Sequence, residues 1–204
     1  MILVLNWKLN KPILVAVEEL EKKFICLAGV ALQGKRDVQS ILEVAKSCRD
    51  KFGVVLQVVD ANCIASWRHA ASAALRALRA FAEGRNVCDR VEVEIILYIS
   101  GRRQIRDAIE AVGVKSDSTE LAVICASKDS GPAISAVRFF VDSVGGVIDN
   151  SALEIRSDEK VNVLRRIFDV SNVELDAVVR SGIDLREAIE RIVIERGALL
   201  EVLK

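Results

Sequence analysis

The sequence predicts an α/β layered fold, with α+β open as the alternative: a central mixed β-sheet of about four to five strands flanked by helices, and a C-terminal helical appendage. Short apolar runs and helix-period segments alternate four times before Gly146, which argues for a layered sheet rather than a bundle. After Gly146 the texture changes to three segments that each open with a helix-capping residue, Ser157, Ser171 and Asp184. With 204 residues, 51% of them hydrophobic and 28% charged, the chain is long enough to bury a real core.

Residues 1–23 read as a short strand, a turn around Asn10-Lys11-Pro12 and a helical piece, Ile13–Lys23. Phe24–Val30 follows as a buried strand. Asp37 is the expected N-cap of a helix at Val38–Lys51, with Ile41, Leu42, Ala45 and Cys48 on one side. Val54–Val59 reads as the second strand of the layer, ended by Asp60-Ala61-Asn62, and a long helix at Ile64–Ala82 stops at Gly84. Val91–Ile99 alternates partly, with Glu92 and Glu94 on the face opposite Val91, Val93, Ile95, Leu97 and Ile99, and so predicts a strand. Ser100-Gly101 turns into a helix at Gln104–Val112 closed by Gly113. Leu121–Ser127 reads as a strand, Pro132–Val144 as a helix, and Val147–Ile155 as extended chain before the C-terminal helices. No linker interrupts the chain. One domain over 1–204 is expected: an N-terminal extension (1–23), a sheet-and-helix core (24–155) and C-terminal helices (156–204).

Composition narrows function by exclusion. The aromatic share is 4% and there are two prolines, unlike disordered or collagen-like chains. Lys+Arg and Asp+Glu both total 29, so attraction of the whole molecule to nucleic acid or an acidic membrane is not expected, although a local patch can exist. No apolar run approaches the ~20 residues of a membrane span, and no signal-type basic start precedes the first apolar residues. A soluble cytoplasmic protein without membrane contact is expected. Cys26, Cys48, Cys63, Cys88 and Cys125 form no C-x-x-C pair, and the single histidine completes no zinc motif. No metal and no cofactor are expected.

Signatures of catalysis are missing as well. The chain has no Walker A sequence, no G-x-G-x-x-G after a strand and no G-x-S-x-G elbow. His69 is the lone neutral-pH titrator, and a lone histidine usually packs or hydrogen-bonds.

Two basic clusters stand out. The helix at Ile64–Ala82 carries Arg68, His69, Arg76 and Arg79 with no acid before Glu83. At ~100° per residue these four occupy about a quarter of the helix circumference. Arg102-Arg103 with Arg106 sits at a turn into the next helix, where amides and guanidinium groups together make a phosphate-sized site. The plainer readings are a solvated cationic helix face and a polar turn that happens to be basic. Leu185, Ile189, Ile192, Val193, Leu199, Leu200 and Val202 on the last helix are too many apolar residues for one narrow stripe. Two readings stay open: all of them pack in the core, the leading one because terminal helices are commonly tied down by burial, or one face closes the core and the other docks a partner.

At these residues the chain resembles a known family. Gln57–His69 (QVVDANCIASWRH), Val91–Val114 (VEVEIILYISGRRQIRDAIEAVGV), Gly145–Ile155 (GGVIDNSALEI) and Ile189–Glu195 (IERIVIE) are similar, in order and spacing, to the small regulatory subunit of the KEOPS complex, the family of the PRPK-binding protein TPRKB. The similarity runs from about Phe24 to Glu195. Residues 1–23 have no clear counterpart, and Ala198–Lys204 extends past the last match.

The resemblance implies a non-enzymatic accessory subunit. KEOPS installs threonylcarbamoyl on an adenosine beside the anticodon of tRNA. Its transferase subunit does the chemistry, and a kinase-like ATPase subunit sits beside it. The family docks directly on that ATPase, reaches the transferase only through the complex, and binds the single-stranded 3′ CCA end of tRNA. Carried over to this chain, the resemblance puts the tRNA end near His69 and Ser100, Gly101, Arg102, Arg103, Gln104 and Ile105, with Ala108 and Ile109 one turn further on. Arg68, Arg76 and Arg106 join them from the basic clusters. With few aromatics, an aliphatic pocket is expected rather than a stacking platform. The kinase-docking surface is assigned to Ile189, Ile192 and Val193. Two other readings stay open: an interaction module that regulates the kinase-like subunit without touching RNA, and a small-molecule sensor or enzyme built on His69.

Overall fold

The computed structural model describes residues 2–8, 10–17, 20, 24–179 and 182–203. Strands β1 (Ile2–Lys8), β2 (Lys11–Val17), β3 (Phe24–Leu32), β4 (Val55–Asp60), β5 (Glu120–Ser127) and β6 (Gly146–Ile148) form one sheet in the order β1-β2-β3-β5-β4. The short β6 pairs with the second half of β3, at Val30–Leu32. The expected class, a central sheet flanked by helices, is present. In detail every described pairing is antiparallel rather than mixed, which selects the α+β form.

The sheet is buried on both faces. Ile25, Leu27, Val59, Ala122, Ile124 and Ala126 face one side, where α2 (Trp67–Ala82), α3 (Val91–Ser100) and α4 (Ile105–Val112) pack. Cys26, Ala28, Val30, Leu56, Leu121, Val123 and Cys125 face the other, under α1 (Val38–Phe52) and α5 (Ser130–Ser143). The alternation follows from the two-residue period of a strand. All five thiols are buried. Burial pushes Cys26 and Cys63 up to about 12 and Cys48 to about 11, so they act as small hydrophobes.

Helices α6 (Asp158–Ile167), α7 (Asn172–Val179) and α8 (Leu185–Leu203) form a third cluster around Leu164, Phe168, Leu175, Ile189 and Val193. Their caps are those expected. Ser157 Oγ accepts from Lys160 N at 3.2 Å. Ser171 and Glu174 cap each other reciprocally, at 2.9 and 3.2 Å, and Asp184 accepts from Arg186 N at 2.8 Å. α8 also inserts Leu200 into the main core. Its Gly197 lies against α3, where a Cβ would stand 2.6 Å from the Tyr98 carbonyl oxygen. No helix among the described residues is long and apolar enough to cross a membrane.

Four expectations need correction. Ile13–Lys23 is not helical over its described part: Lys11–Val17 is β2, paired on both sides. Its apolar run is buried on alternate faces of the sheet, Ile13, Val15 and Val17 on one and Leu14 on the other, a strand pattern that a helical reading of the same residues hides. Most of residues 18–23 lie outside the described residues. Val91–Ser100 is helix α3, not a strand. Residues 94–100 are all buried, and a short run buried all round carries no period that separates helix from strand. At ~100° per residue Glu92 and Glu94 diverge. Glu92 reaches Arg49 and Arg90, at 3.6 and 3.5 Å, whereas Glu94 turns inward and accepts from the amides of Val87 and Cys88 at 3.1 and 3.0 Å.

Val147–Ile155 is extended only at its start. Asn150–Leu153 is a 3-10 turn, because Asp149 accepts from Ser151 N at 3.0 Å and Asn150 bridges Gly29 N and the Lys11 carbonyl. Gly29 is required there, since a Cβ would stand 2.3 Å from the Asp149 carbonyl oxygen. Finally, Leu42 is 45% exposed rather than on the buried side of α1.

Candidate functional site

Helix α3 ends because Gly101 adopts a left-handed conformation at φ 65°. Ser100 Oγ donates to the Leu97 carbonyl at 3.1 Å and accepts from Arg102 N at 3.2 Å. The chain reverses into α4, whose N-cap Gln104 makes no side-chain capping bond. Under this turn lies an open groove of about 770 Å³, lined by residues 102–107 with Val87, Leu97 and Leu200. Its floor is aliphatic. Val87 and Ile105 are exposed, as is Ile109 one turn further along α4.

The turn is held from beneath by a network that the sequence does not reveal. His69 is 1% exposed. Its Nδ1 accepts from Ala65 N at 3.3 Å, which leaves the proton on Nε2, 3.0 Å from the Ile99 carbonyl oxygen. Its ring meets Phe168 edge-on, with centroids 5.7 Å apart. Burial pushes the imidazole down to about 4. Arg102 Nη2 donates to the Ile167 carbonyl at 3.2 Å, and Arg196 Nε donates to the neighbouring Phe168 carbonyl at 3.3 Å. The corner after α6 thus pins both the groove and α8.

The expected site residues separate into three groups. Arg102, Arg103, Gln104, Ile105 and Arg106 come together along the groove, and Ile109 is exposed beside them on α4. Ser100, Gly101 and Ala108 shape its backbone: Ser100 and Ala108 are buried, and Gly101 is packed under the Arg196 side chain. His69 supports the turn from the core and has no surface for a ligand. Arg68 and Arg76 are the third group. Arg68 lies 3.5 Å from Glu190 and over the Trp67 ring, and Arg76 lies 2.7 Å from Glu201. Both border a different cleft, against β2 and β3.

By contrast, Arg103 and Arg106 have no ion pair or hydrogen-bond partner for their guanidinium groups among the described residues. Ile189, Ile192 and Val193 are also displaced from the role expected of them. They are 0%, 4% and 0% exposed and form the centre of the third cluster. Among the residues of α8 whose burial is described, the exposed large apolar ones are Leu185, Leu199 and Val202. Sequence reasoning missed Val87, Leu97 and Leu200 as the groove's apolar wall. Leu97 was hidden by the strand reading of α3, while Leu200 was visible only as an apolar residue of the last helix.

A family model described as kinase binding protein CGI-121 matches residues 36–201, which includes the whole groove. The chain is 29% identical over 119 residues to the regulatory protein Cgi121 of Methanocaldococcus jannaschii, across 58% of this chain and 73% of that protein. It is 29% identical over 129 residues to the KEOPS complex subunit Cgi121 of Pyrococcus abyssi, across 62% of this chain and 67% of that protein.

Proposed function

The chain belongs to the CGI-121 family, and from that premise we propose that it is a non-catalytic accessory subunit of a KEOPS complex acting in tRNA threonylcarbamoyladenosine modification. It holds the single-stranded 3′ CCA end of tRNA in the α4 groove and docks directly on the kinase-like ATPase subunit, in the cytoplasm. One observation carries the RNA reading: an exposed aliphatic surface (Val87, Ile105), backed by the buried Leu97 and Leu200, with the guanidinium groups of Arg103 and Arg106, unpaired among the described residues, along the same groove. Unstacked bases bind on apolar surface, and the backbone beside them needs cations. The kinase docking is supported by the family description, and Leu199 and Val202 are exposed apolar residues near the end of α8 available to it.

Binding of the purified protein to tRNA with and without its 3′ CCA, followed by fluorescence polarisation, tests the reading. Tighter binding of intact tRNA is expected. Equal binding of both removes the 3′-end assignment. Absence of binding to either leaves the second reading, an interaction module that regulates the kinase-like subunit without RNA. The exposed aliphatic residues Val87, Ile105 and Ile109 favour that one, since they would equally receive apolar side chains of a protein.

A further inference from the structure

Beside the α4 groove lies a second, smaller cleft of about 330 Å³ between α4 and the end of α6. Ala111, Val163 and Ile167 form its apolar part. Arg102, Lys115 and Arg166 supply its cations, and Asp107 and Glu110 stand on the α4 wall. Arg102 and Asp107 line both spaces, so an occupant of one reaches the other along a shared edge.

Three features distinguish this cleft from an ordinary polar surface. None of its three cations takes part in an ion pair among the described residues, whereas Arg68 and Arg76 on α2 are paired to α8. Arg102 is anchored by its Nη2 on the Ile167 carbonyl, yet its Nε is buried and has no acceptor among the described residues. A buried donor without an acceptor is costly unless something supplies one. Lys115 projects from a fixed turn: its amide donates to Ser118 Oγ at 3.0 Å, and Ser118 Oγ donates to Asp60 Oδ2 at 2.7 Å.

We propose that this cleft is a phosphate subsite, in which Arg102, Lys115 and Arg166 take a backbone phosphate of the RNA strand whose unpaired end occupies the α4 groove. The inference rests on the RNA reading of that groove and adds the direction in which the strand leaves it. A phosphate suits the site because its oxygens accept from several directions, matching donors presented by the turn between α3 and α4, the turn before β5 and the last turn of α6. Asp107 and Glu110 repel a second phosphate on the α4 side, so the cleft takes one.

The test uses the full chain and tRNA, with Lys115→Gln and Arg166→Gln made singly and together. Both residues are exposed, so thermal melting is expected to stay unchanged and to certify the fold. Affinity for intact tRNA is expected to fall roughly threefold to tenfold in the double variant. The slope of log affinity against log salt is expected to flatten by about 0.7, the value for one phosphate contact on a single strand. The preference for intact over CCA-less tRNA is expected to persist, since the α4 groove is untouched. Unchanged affinity and slope in the double variant, while Arg103→Glu weakens binding, overturns the subsite and leaves the groove reading standing. Wild-type protein that binds neither tRNA overturns both.

Discussion

Helix α2 and the α3–α4 turn carry basic clusters of similar size, and the fold treats them in opposite ways. On α2, Arg68 and Arg76 are met by Glu190 and Glu201 of α8, and His69 is sealed in the core. At the turn, Arg103 and Arg106 face solvent with no ion pair among the described residues, in a groove with an aliphatic lining. Counted along the sequence the two clusters look alike. What separates them is the last helix, α8, which neutralises one cluster and lends the other a wall through Leu200. A basic stripe is a binding surface only when the rest of the fold leaves it unpaired.

The strongest way to sharpen this contrast is to remove His69. In His69→Leu the Ala65 amide and the Ile99 carbonyl lose their buried partners, at a cost of about 3 kcal/mol. Chemical denaturation is expected to show that loss. His69→Gln, which can keep a donor near Ile99, is expected to recover part of it. A fully stable His69→Leu protein would break the assignment of His69 as a support.

Acid acts on the same residue. With His69 held at about 4 inside the fold against an ordinary value near 6.5 in the unfolded chain, the unfolded state binds the extra proton between those values. Its contribution is therefore constant above about pH 6.5 and destabilising as pH falls towards 4. The full window is worth about 3 kcal/mol. Melting between pH 7 and 4 is expected to fall less steeply in His69→Gln than in the wild type.

Charge reversal tests the two clusters directly. Arg103→Glu with Arg106→Glu is expected to weaken tRNA binding by tenfold or more, about 1.4 kcal/mol or greater, without lowering the melting temperature. Arg76→Met is the smallest case. It breaks the half-buried pair with Glu201 for less than about 1 kcal/mol and is expected to leave tRNA affinity within twofold. Equal loss of binding from both clusters would erase the distinction between them.

Much of the groove was legible in the sequence. Arg102 to Arg106 stand next to one another, so any fold brings them together, and Gly101 marks the reversal that presents them. His69, Ala108 and the Ile189, Ile192, Val193 face were drawn to the surface by the family resemblance or by apolar content alone. Burial moved them inside. Lys115 and Arg166 were unreadable as a pair, since β5, α5 and β6 lie between them in the chain.

The division has a physical basis. Helix boundaries at Asp37, Ser157, Ser171 and Asp184 came out of the sequence because a cap is a bond between residues two or three apart. Strand direction, the helical state of Val91–Ser100, the burial of His69 and the choice of which arginines stay unpaired came only from the tertiary structure. Each depends on contacts across long sequence separations, from Glu190 to Ser66 or Arg102 to Ile167, and local pattern carries no record of what packs against it.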